Sequence, residues 1–181
     1  MTEQRVSFRY ARAILETAVQ EKVSDKIFGD FLVVNDILAD SRELRVLTSS
    51  PVLQHWKKKE VYQAVFEGRI STLTLNFLMF LLDKKRGDLI PSIIAQYVIQ
   101  YNIMNNKLPV EIYSAIELND NIKQKIVNEL EDWTQKTILP DFKLQPELKG
   151  GMMIKVDDWV YDASLKNQLE ILYKKLADEG L

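Results

Sequence analysis

Very few residues of this chain have the type and the spacing that catalysis or metal binding requires. His55 is the single histidine, so neither a zinc site built on clustered histidines nor a histidine-supported nucleophile is available. The chain contains no cysteine, which excludes thiolate nucleophiles, disulfides and cysteine-ligated metals. Neither of the common glycine-rich signatures of phosphate binding occurs in it. We therefore predict no catalytic residue, no metal ligand and no bound cofactor.

Two pairs of residues have a structural explanation that is simpler than a chemical one. Gly150-Gly151 could hold a phosphate, but a glycine pair before a strand more often accommodates the backbone. Asp157-Asp158 could act as paired acids, but neighbouring side chains at the tip of a hairpin point apart and remain in water. An enzyme that uses acidic residues alone would need carboxylates that converge in a pocket, and the acidic residues scatter along the sequence.

Two short basic runs, Lys57–Lys59 and Lys84–Arg86, lie at the start of one predicted helix and at the end of another. Solvated helix ends are the simplest interpretation. The alternative is a small helical RNA-binding module, which requires the two runs to converge on one face and binding to depend steeply on salt. No aromatic residue interleaves with the runs as a stacking platform requires, and the net charge of -2 does not favour nucleic acid.

The length and the apolar pattern indicate two domains in a mainly α protein. The chain has 181 residues, 46% of them hydrophobic, which is enough for a buried core and is compatible with two small domains. Its first residues carry charges throughout and lack an apolar core, so no signal peptide is expected. Because the spacing of apolar residues changes after Asn106, we predict domains at residues 1–106 and 107–181.

Residues 1–106 are predicted to form a six-helix bundle. The first helix, Arg5–Gln20, has its apolar residues on one stripe of helical period. The fifth helix, Ser71–Asp83, is apolar on almost every side, although it is shorter than the ~20 apolar residues that cross a bilayer. A short helix of this kind either fills the centre of a bundle or keeps one face for a partner.

Residues 107–181 are predicted to form a small α+β domain of order β-α-β-β-α. Val110 and Ile112 alternate with polar neighbours, as in a strand, and helical spacing follows until Pro140 interrupts the pattern. After Pro140, Phe142 and Leu144 again alternate with polar neighbours. Two short strands, Met152–Val156 and Trp159–Tyr161, are joined by a tight turn. The last helix carries four leucines at spacings of four, three and four residues: Leu165, Leu169, Leu172 and Leu176.

Three segments resemble the δ subunit of F-type ATP synthases, a relative of the mitochondrial oligomycin sensitivity-conferring protein. They are FRYARAILETA, LLDKKRGDLIPSI and GGMMIKVDDWVYDASLKNQL, so the resemblance covers nearly the whole chain. The residues that match the motifs of the family are Tyr10, Ala11, Ala13, Gly87, Leu89, Pro91, Gly151, Asp162, Ser164, Gln168 and Leu169. The chain departs from the family at Ala163, where glycine is usual, and at Asp157-Asp158, where glycine and aspartate are usual.

The resemblance implies a non-catalytic stator component without a cofactor. Family members bind N-terminal helices of the α subunit on the catalytic head and hold the b subunits of the peripheral stalk. This link keeps the head from turning with the rotor, so that proton flow is coupled to ATP synthesis. Since no transit peptide is evident, the resemblance implies a bacterial protein on the cytoplasmic face of the plasma membrane, with no direct membrane insertion and no nucleic-acid partner.

The resemblance also implies two sets of functional residues. The resemblance places the α-subunit helix in a groove between the first and fifth helices. Because the fifth helix is apolar around more of its circumference than one core can cover, some of its residues are expected at the surface beside Tyr10 and Ile14; the candidates are Leu73, Phe77, Phe80 and Leu81. The structural signature of the C-terminal domain consists of Gly151, Asp162, Ser164 and Gln168. Gly151 is expected to permit a close approach of two backbone segments, while Asp162 and Ser164 are expected to cap the last helix.

Overall fold

The computed structural model describes residues 3–50, 53–156 and 158–178. Most of these residues are helical, and a small four-stranded sheet lies in the C-terminal part. The chain divides into two compact units, Met1–Met104 (unit 1) and Asn105–Leu181 (unit 2), each with its own hydrophobic core. The side chain of His55 and the whole of Asp157 lie outside the described residues, so their interpretations above stay predictions.

Unit 1 is built from helices that short turns connect. In its described part the helices are α1 (Glu3–Gln20), α2 (Ser24–Asp40), α3 (Arg42–Ser49), α4 (His55–Phe66), α5 (Thr72–Asp83) and α6 (Ile90–Met104). A 3-10 turn, Gly87–Leu89, comes just before α6. Serine side chains cap two of the helices, since Ser41 accepts a hydrogen bond from the backbone N–H of Leu44 and Ser71 accepts one from that of Thr74.

The core of unit 1 is dense and rich in aromatic rings. Phe31 and Tyr97 are fully buried and meet edge to face, with their ring centroids 4.8 Å apart. Tyr62 is also fully buried, and its hydroxyl lies 2.7 Å from the hydroxyl of Thr48, so burial leaves no polar atom of this ring unpaired. Each of the helices α1 to α6 contributes to this core.

Unit 2 contains a mixed sheet with one helix packed against it. Its described elements are β1 (Lys107–Ser114), α7 (Asp120–Thr134), β2 (Thr137–Leu144), β3 (Met152–Val156), β4 (Trp159–Asp162) and α8 (Leu165–Asp178). The strand order is β2-β1-β3-β4, with β1 and β2 parallel and the other pairs antiparallel. The buried residues at its centre are Val110, Ile112, Ile126 and Ile138.

The predicted order β-α-β-β-α lacks one strand that the structure contains. Residues Thr137–Leu144 form β2 although Pro140 lies in the middle of the segment. Proline has no backbone N–H, and it is tolerated here because β2 pairs only with β1 and is therefore an edge strand. The proline interrupts the sequence pattern without ending the strand.

Candidate partner-binding surfaces

A buried carboxylate holds the start of α5. Ser71 precedes this helix, and the side chain of Asp30 on α2 accepts hydrogen bonds from the Ser71 backbone N–H at 2.9 Å and from the Thr74 hydroxyl at 2.7 Å. Asp30 is only 8% exposed, and a negative charge is favourable at a helix N-terminus. Sequence reasoning did not single out Asp30. Its position between Ile27 and Phe31 on the apolar side of α2 could have indicated a buried carboxylate.

Apolar side chains of α1 and α5 meet at the surface of unit 1. The ring of Tyr10 on α1 meets the ring of Phe80 on α5 edge to face at 6.3 Å. Phe80 is 43% exposed, while Tyr10, Leu73 and Phe77 are partly exposed. The ring of Phe77 also meets the ring of Phe31, a core residue, edge to face, with the two centroids 6.1 Å apart. We call Tyr10, Leu73, Phe77 and Phe80 the α1–α5 surface.

Two of the six residues expected in this groove are not on its surface. Ile14 is 4% exposed and Leu81 is fully buried, and both belong to the core of unit 1. Phe80 and Leu81 are consecutive, so they point about 100° apart on the helix and cannot both face a partner. Ile14 follows Tyr10 by four residues, and the extra rotation of about 40° turns it toward the interior.

The C-terminal end of α5 is positively charged and borders the α1–α5 surface. The ammonium group of Lys84 lies 5.5 Å from the centroid of the Phe80 ring. Lys85 has a left-handed backbone with φ of 58°, and Arg86 donates its backbone N–H to the carbonyl of Leu81 at 2.8 Å, which closes a Schellman turn. Gly87 then lies against α3, where a Cβ atom would be 3.2 Å from the carbonyl oxygen of Thr48.

The two basic runs lie close together, but the first run does not present a cationic face. Lys58 is buried and donates to the carbonyl of Thr48 at 2.8 Å; burial lowers the pKa of Lys58, and the charge of Asp88 opposes this. Lys59 forms an ion pair with Asp83 at 2.7 Å. Only Lys57 of this run remains at the surface without an ion pair in the described part of the chain.

In unit 2 the glycine pair brings the start of β3 against the start of α8. Gly151 has φ of 70°, and a Cβ atom at this position would lie 2.3 Å from the carbonyl oxygen of Ala163. No other residue type fits such a gap without moving the backbone. The carbonyl of Gly150 accepts the backbone N–H of Leu165 at 3.0 Å, which joins the pair to the first residue of α8.

A set of short hydrogen bonds then begins α8. Asp162 accepts from the backbone N–H of Ser164 at 2.9 Å, and the Ser164 hydroxyl accepts from the backbone N–H of Asn167 at 3.1 Å. The side chain of Asn167 returns a hydrogen bond to the carbonyl of Asp162 at 3.0 Å, and that of Gln168 reaches the carbonyl of Ala163 at 3.4 Å. Sequence reasoning missed Asn167. Ala163 has no positive φ, so this position does not require the glycine that is usual in the family.

Helix α8 leaves its leucine stripe uncovered within unit 2. Leu165, Leu169, Leu172 and Leu176 are between 44% and 55% exposed, and the described residues of α8 include none that is buried. Trp159 and Tyr161 of the neighbouring edge strand are 81% and 70% exposed. Large sets of exposed apolar side chains are typical of interaction sites, so this part of unit 2 is a candidate partner-binding surface.

The most interconnected charged groups of unit 2 do not form a catalytic site. Lys143 lies 2.5 Å from the carboxylate of Glu111 and 3.1 Å from that of Asp141 on the solvent side of the sheet. Hydrogen bonds from Lys143 and Tyr113 lower the pKa of Glu111. Lys155 lies 3.6 Å from Glu111 as well, so two lysines face the two carboxylates. No group of three potential metal ligands occurs among the described residues.

Exposed apolar surfaces of this kind make binding to other protein chains the simplest interpretation of the structure. The comparisons with known proteins agree. A sequence model of the family "ATP synthase delta (OSCP) subunit" matches residues 6–176. The ATP synthase subunit delta of Chloroherpeton thalassium is 30% identical over 176 residues, which cover 97% of this chain and 96% of that protein. The subunit delta of Chlorobium phaeobacteroides strain DSM 266 is 33% identical, with 96% of each chain covered.

A solved structure has the same fold. A chain of the Toxoplasma gondii mitochondrial ATP synthase hexamer superposes with a TM-score of 0.73 at 22% identity and with 98% of both chains covered. The chain belongs to the ATP synthase delta (OSCP) subunit family. It is a non-catalytic stator component of F-type ATP synthase that links the catalytic head to the peripheral stalk, and RNA binding is not supported. None of the described helices is long and apolar enough to cross a membrane.

Proposed function

We propose that the two units of this chain bind two different parts of the synthase. Unit 1, whose six helices act as one bundle, binds the N-terminal helix of an α subunit on the α1–α5 surface. Unit 2 holds the b subunits of the peripheral stalk through α8. The chain performs this task at the cytoplasmic face of a bacterial plasma membrane without entering the membrane.

The observation that carries the first contact is the exposure of Phe80 beside Tyr10. An amphipathic helix binds a groove by inserting apolar residues at three- and four-residue spacing, and the α1–α5 surface offers aromatic rings along one helical row. The contact between Phe77 and Phe31 and the hydrogen bonds of Asp30 at the start of α5 fix the position of this helix in the free protein. A preformed groove loses little conformational entropy on binding, which favours a durable complex.

The second contact is supported by the uncovered leucines of α8. An isolated helix of this length is marginal in water, so α8 gains stability when another helix covers its apolar stripe. The leucine spacing of four, three and four residues is the spacing of a coiled-coil seam. Stalk subunits that pair with such a seam would be held along the length of the helix rather than at one point.

The test of the α-subunit contact uses Phe80→Asp in the full chain. A buried phenylalanine contributes ~1.5–3 kcal/mol, so we expect calorimetry with a peptide of the α-subunit N-terminus to show binding weakened by about tenfold or more. Val46→Asp is the matched control, because Val46 is also an exposed apolar residue of unit 1 but lies on α3. Equal binding by the folded Phe80 variant and the control would place the site elsewhere.

We further propose that the two units are separate domains. Limited proteolysis should cut first within residues 105–109, between the last residue of α6 and the buried part of β1. The N-terminal fragment should keep its helical circular dichroism when purified alone, because its core is complete without unit 2. Unfolding of that fragment on separation would show that the two units depend on each other.

A further inference from the structure

Three positive side chains mark one end of the α1–α5 surface. Lys84, Lys85 and Arg86 follow α5 directly and are all exposed. The Lys84 ammonium group lies over the ring of Phe80 at 5.5 Å, so the charge reaches the α1–α5 surface itself. A helix that covers Phe80 would have its next turn, about 5.4 Å further along, beside these three residues.

Neither of the two carboxylates that flank these cations in the sequence forms an ion pair with them in the described part of the chain. Asp83 is paired with Lys59 at 2.7 Å, and the charge of Asp88 acts on the buried Lys58. Among the described residues, Lys84, Lys85 and Arg86 take part in no ion pair. Helix α5 carries no charge other than Asp83, and Asp88 is the one acidic residue between Arg86 and the start of α6, so this end of the α1–α5 surface carries a net positive charge.

We propose that Lys84, Lys85 and Arg86 form a cationic rim that binds carboxylates of the docked helix and thereby selects an acidic partner. The proposal rests on the proposed function of the α1–α5 surface, and it adds the chemistry of the helix that fits there. Apolar side chains of the partner lie on Tyr10 and Phe80, and its Asp or Glu residues within the next turn meet the rim. Such rim charges mainly accelerate association and reject helices without acidic residues.

The backbone conformation of Lys85 allows its charge to be removed without destabilising the fold. Glycine is the preferred residue in the left-handed position that ends a Schellman turn, so Lys85→Gly removes one charge while it relieves the backbone. A loss of affinity in this variant therefore does not come from a loss of folding. Lys22 is the matched control, because it ends α1 in the same conformation with φ of 58° and lies about 18 Å along α1 from Tyr10.

The experiment measures binding of two peptides to the full chain by calorimetry at low and high salt. One peptide is the N-terminal helix of the α subunit from the same organism, and the other has every Asp and Glu replaced by Asn and Gln. At low salt we expect Lys85→Gly to weaken binding of the natural peptide about threefold, and the combined variant with Lys84→Gln and Arg86→Gln about tenfold. The neutral peptide should bind all of these proteins with the same reduced affinity, and Lys22→Gly should bind both peptides like the unchanged chain.

Three results overturn the proposal, and they differ from failure of the proposed function. The rim is wrong if the combined variant binds the natural peptide as the unchanged chain does while Phe80→Asp abolishes binding. It is also wrong if the neutral peptide loses no affinity, or if the natural peptide carries no acidic residue near its apolar anchors. If the unchanged chain binds neither peptide, the α1–α5 surface itself is not the docking site, and the rim is excluded with it.

Discussion

Unit 1 and unit 2 differ in how completely they bury their large apolar side chains. Unit 1 buries whole aromatic rings such as Phe31, Tyr62 and Tyr97 in one large core, although Phe80 and several other apolar side chains of the unit, such as Trp56, are exposed. Unit 2 has a core of four small aliphatic side chains and leaves the leucines of α8 in contact with water. The core of unit 1 is therefore complete within that unit, whereas α8 of unit 2 carries an apolar stripe that no described residue of the unit covers.

The largest expected effect is the loss of a ring from the core of unit 1. Phe31→Ala should lower the free energy of unfolding by about 3–5 kcal/mol, because it removes apolar contacts and leaves a cavity. Urea unfolding combined with hydrogen exchange of individual segments measures this, and the exchange of unit 2 should not change. Phe80→Ala is the matched control, since its ring is 43% exposed and its loss should cost much less. Equal losses in the two variants would contradict the contrast between core and surface.

Alkaline pH should lower the free energy of unfolding of unit 1, because Tyr62 is buried in its neutral form. Burial raises the pKa of Tyr62 to about 12 from its ordinary value of 10.0, with the Thr48 hydrogen bond acting in the other direction. Folding favours the neutral form of Tyr62, so this group contributes about 3 kcal/mol to the free energy of unfolding below pH 10, and the contribution is lost as the pH rises toward 12. Stability curves of Tyr62→Phe should be flatter in this range. An unchanged slope would mean that this hydroxyl does not titrate with unfolding.

A smaller effect is expected at the start of α8. Asp162→Ala combined with Ser164→Ala removes two acceptors from the backbone N–H groups that begin the helix, at about 1 kcal/mol each. Hydrogen exchange should accelerate in α8 and remain unchanged in unit 1. Ser41→Ala removes a cap of the same kind from α3 and should leave α8 as it was. If hydrogen exchange in α8 is as slow in the double variant as in the unchanged chain, the glycine turn alone holds the start of the helix.

The smallest effect on the free chain is expected from the leucine stripe. Leu169→Ala together with Leu172→Ala should change the free energy of unfolding by no more than about 0.5 kcal/mol, because both side chains are half exposed. The same substitution at the buried Leu78 of α5 should cost about 2–5 kcal/mol. Binding of the soluble part of the b subunit, measured by sedimentation, should nevertheless be lost in the double variant. Wild-type binding would exclude α8 as the stalk contact.

Sequence reasoning worked best where neighbouring residues in the chain decide the outcome. Apolar spacing located the segments that form α1 and α5, and a serine before a leucine-spaced run located the start of α8. It left β2 out of the predicted order although Phe142 and Leu144 alternate with polar residues, because Pro140 interrupts the pattern. Whether a strand tolerates a proline depends on its position at the edge of the sheet, which the sequence does not reveal. Sequence reasoning also missed Asp30, whose role depends on a helix start that is distant in sequence.

The sequence by itself determined the family, the alternation of helices and strands, and the absence of histidine and cysteine chemistry, since all three depend on residue identity and local spacing. Only the tertiary structure decided which faces remain open. Tyr10 and Ile14 share an apolar stripe, as do Phe77 and Leu81, yet one member of each pair reaches the surface and the other is buried. Side chains project from a helix on all sides. Whether a given side chain is exposed depends on whether a neighbouring helix covers the side from which it projects.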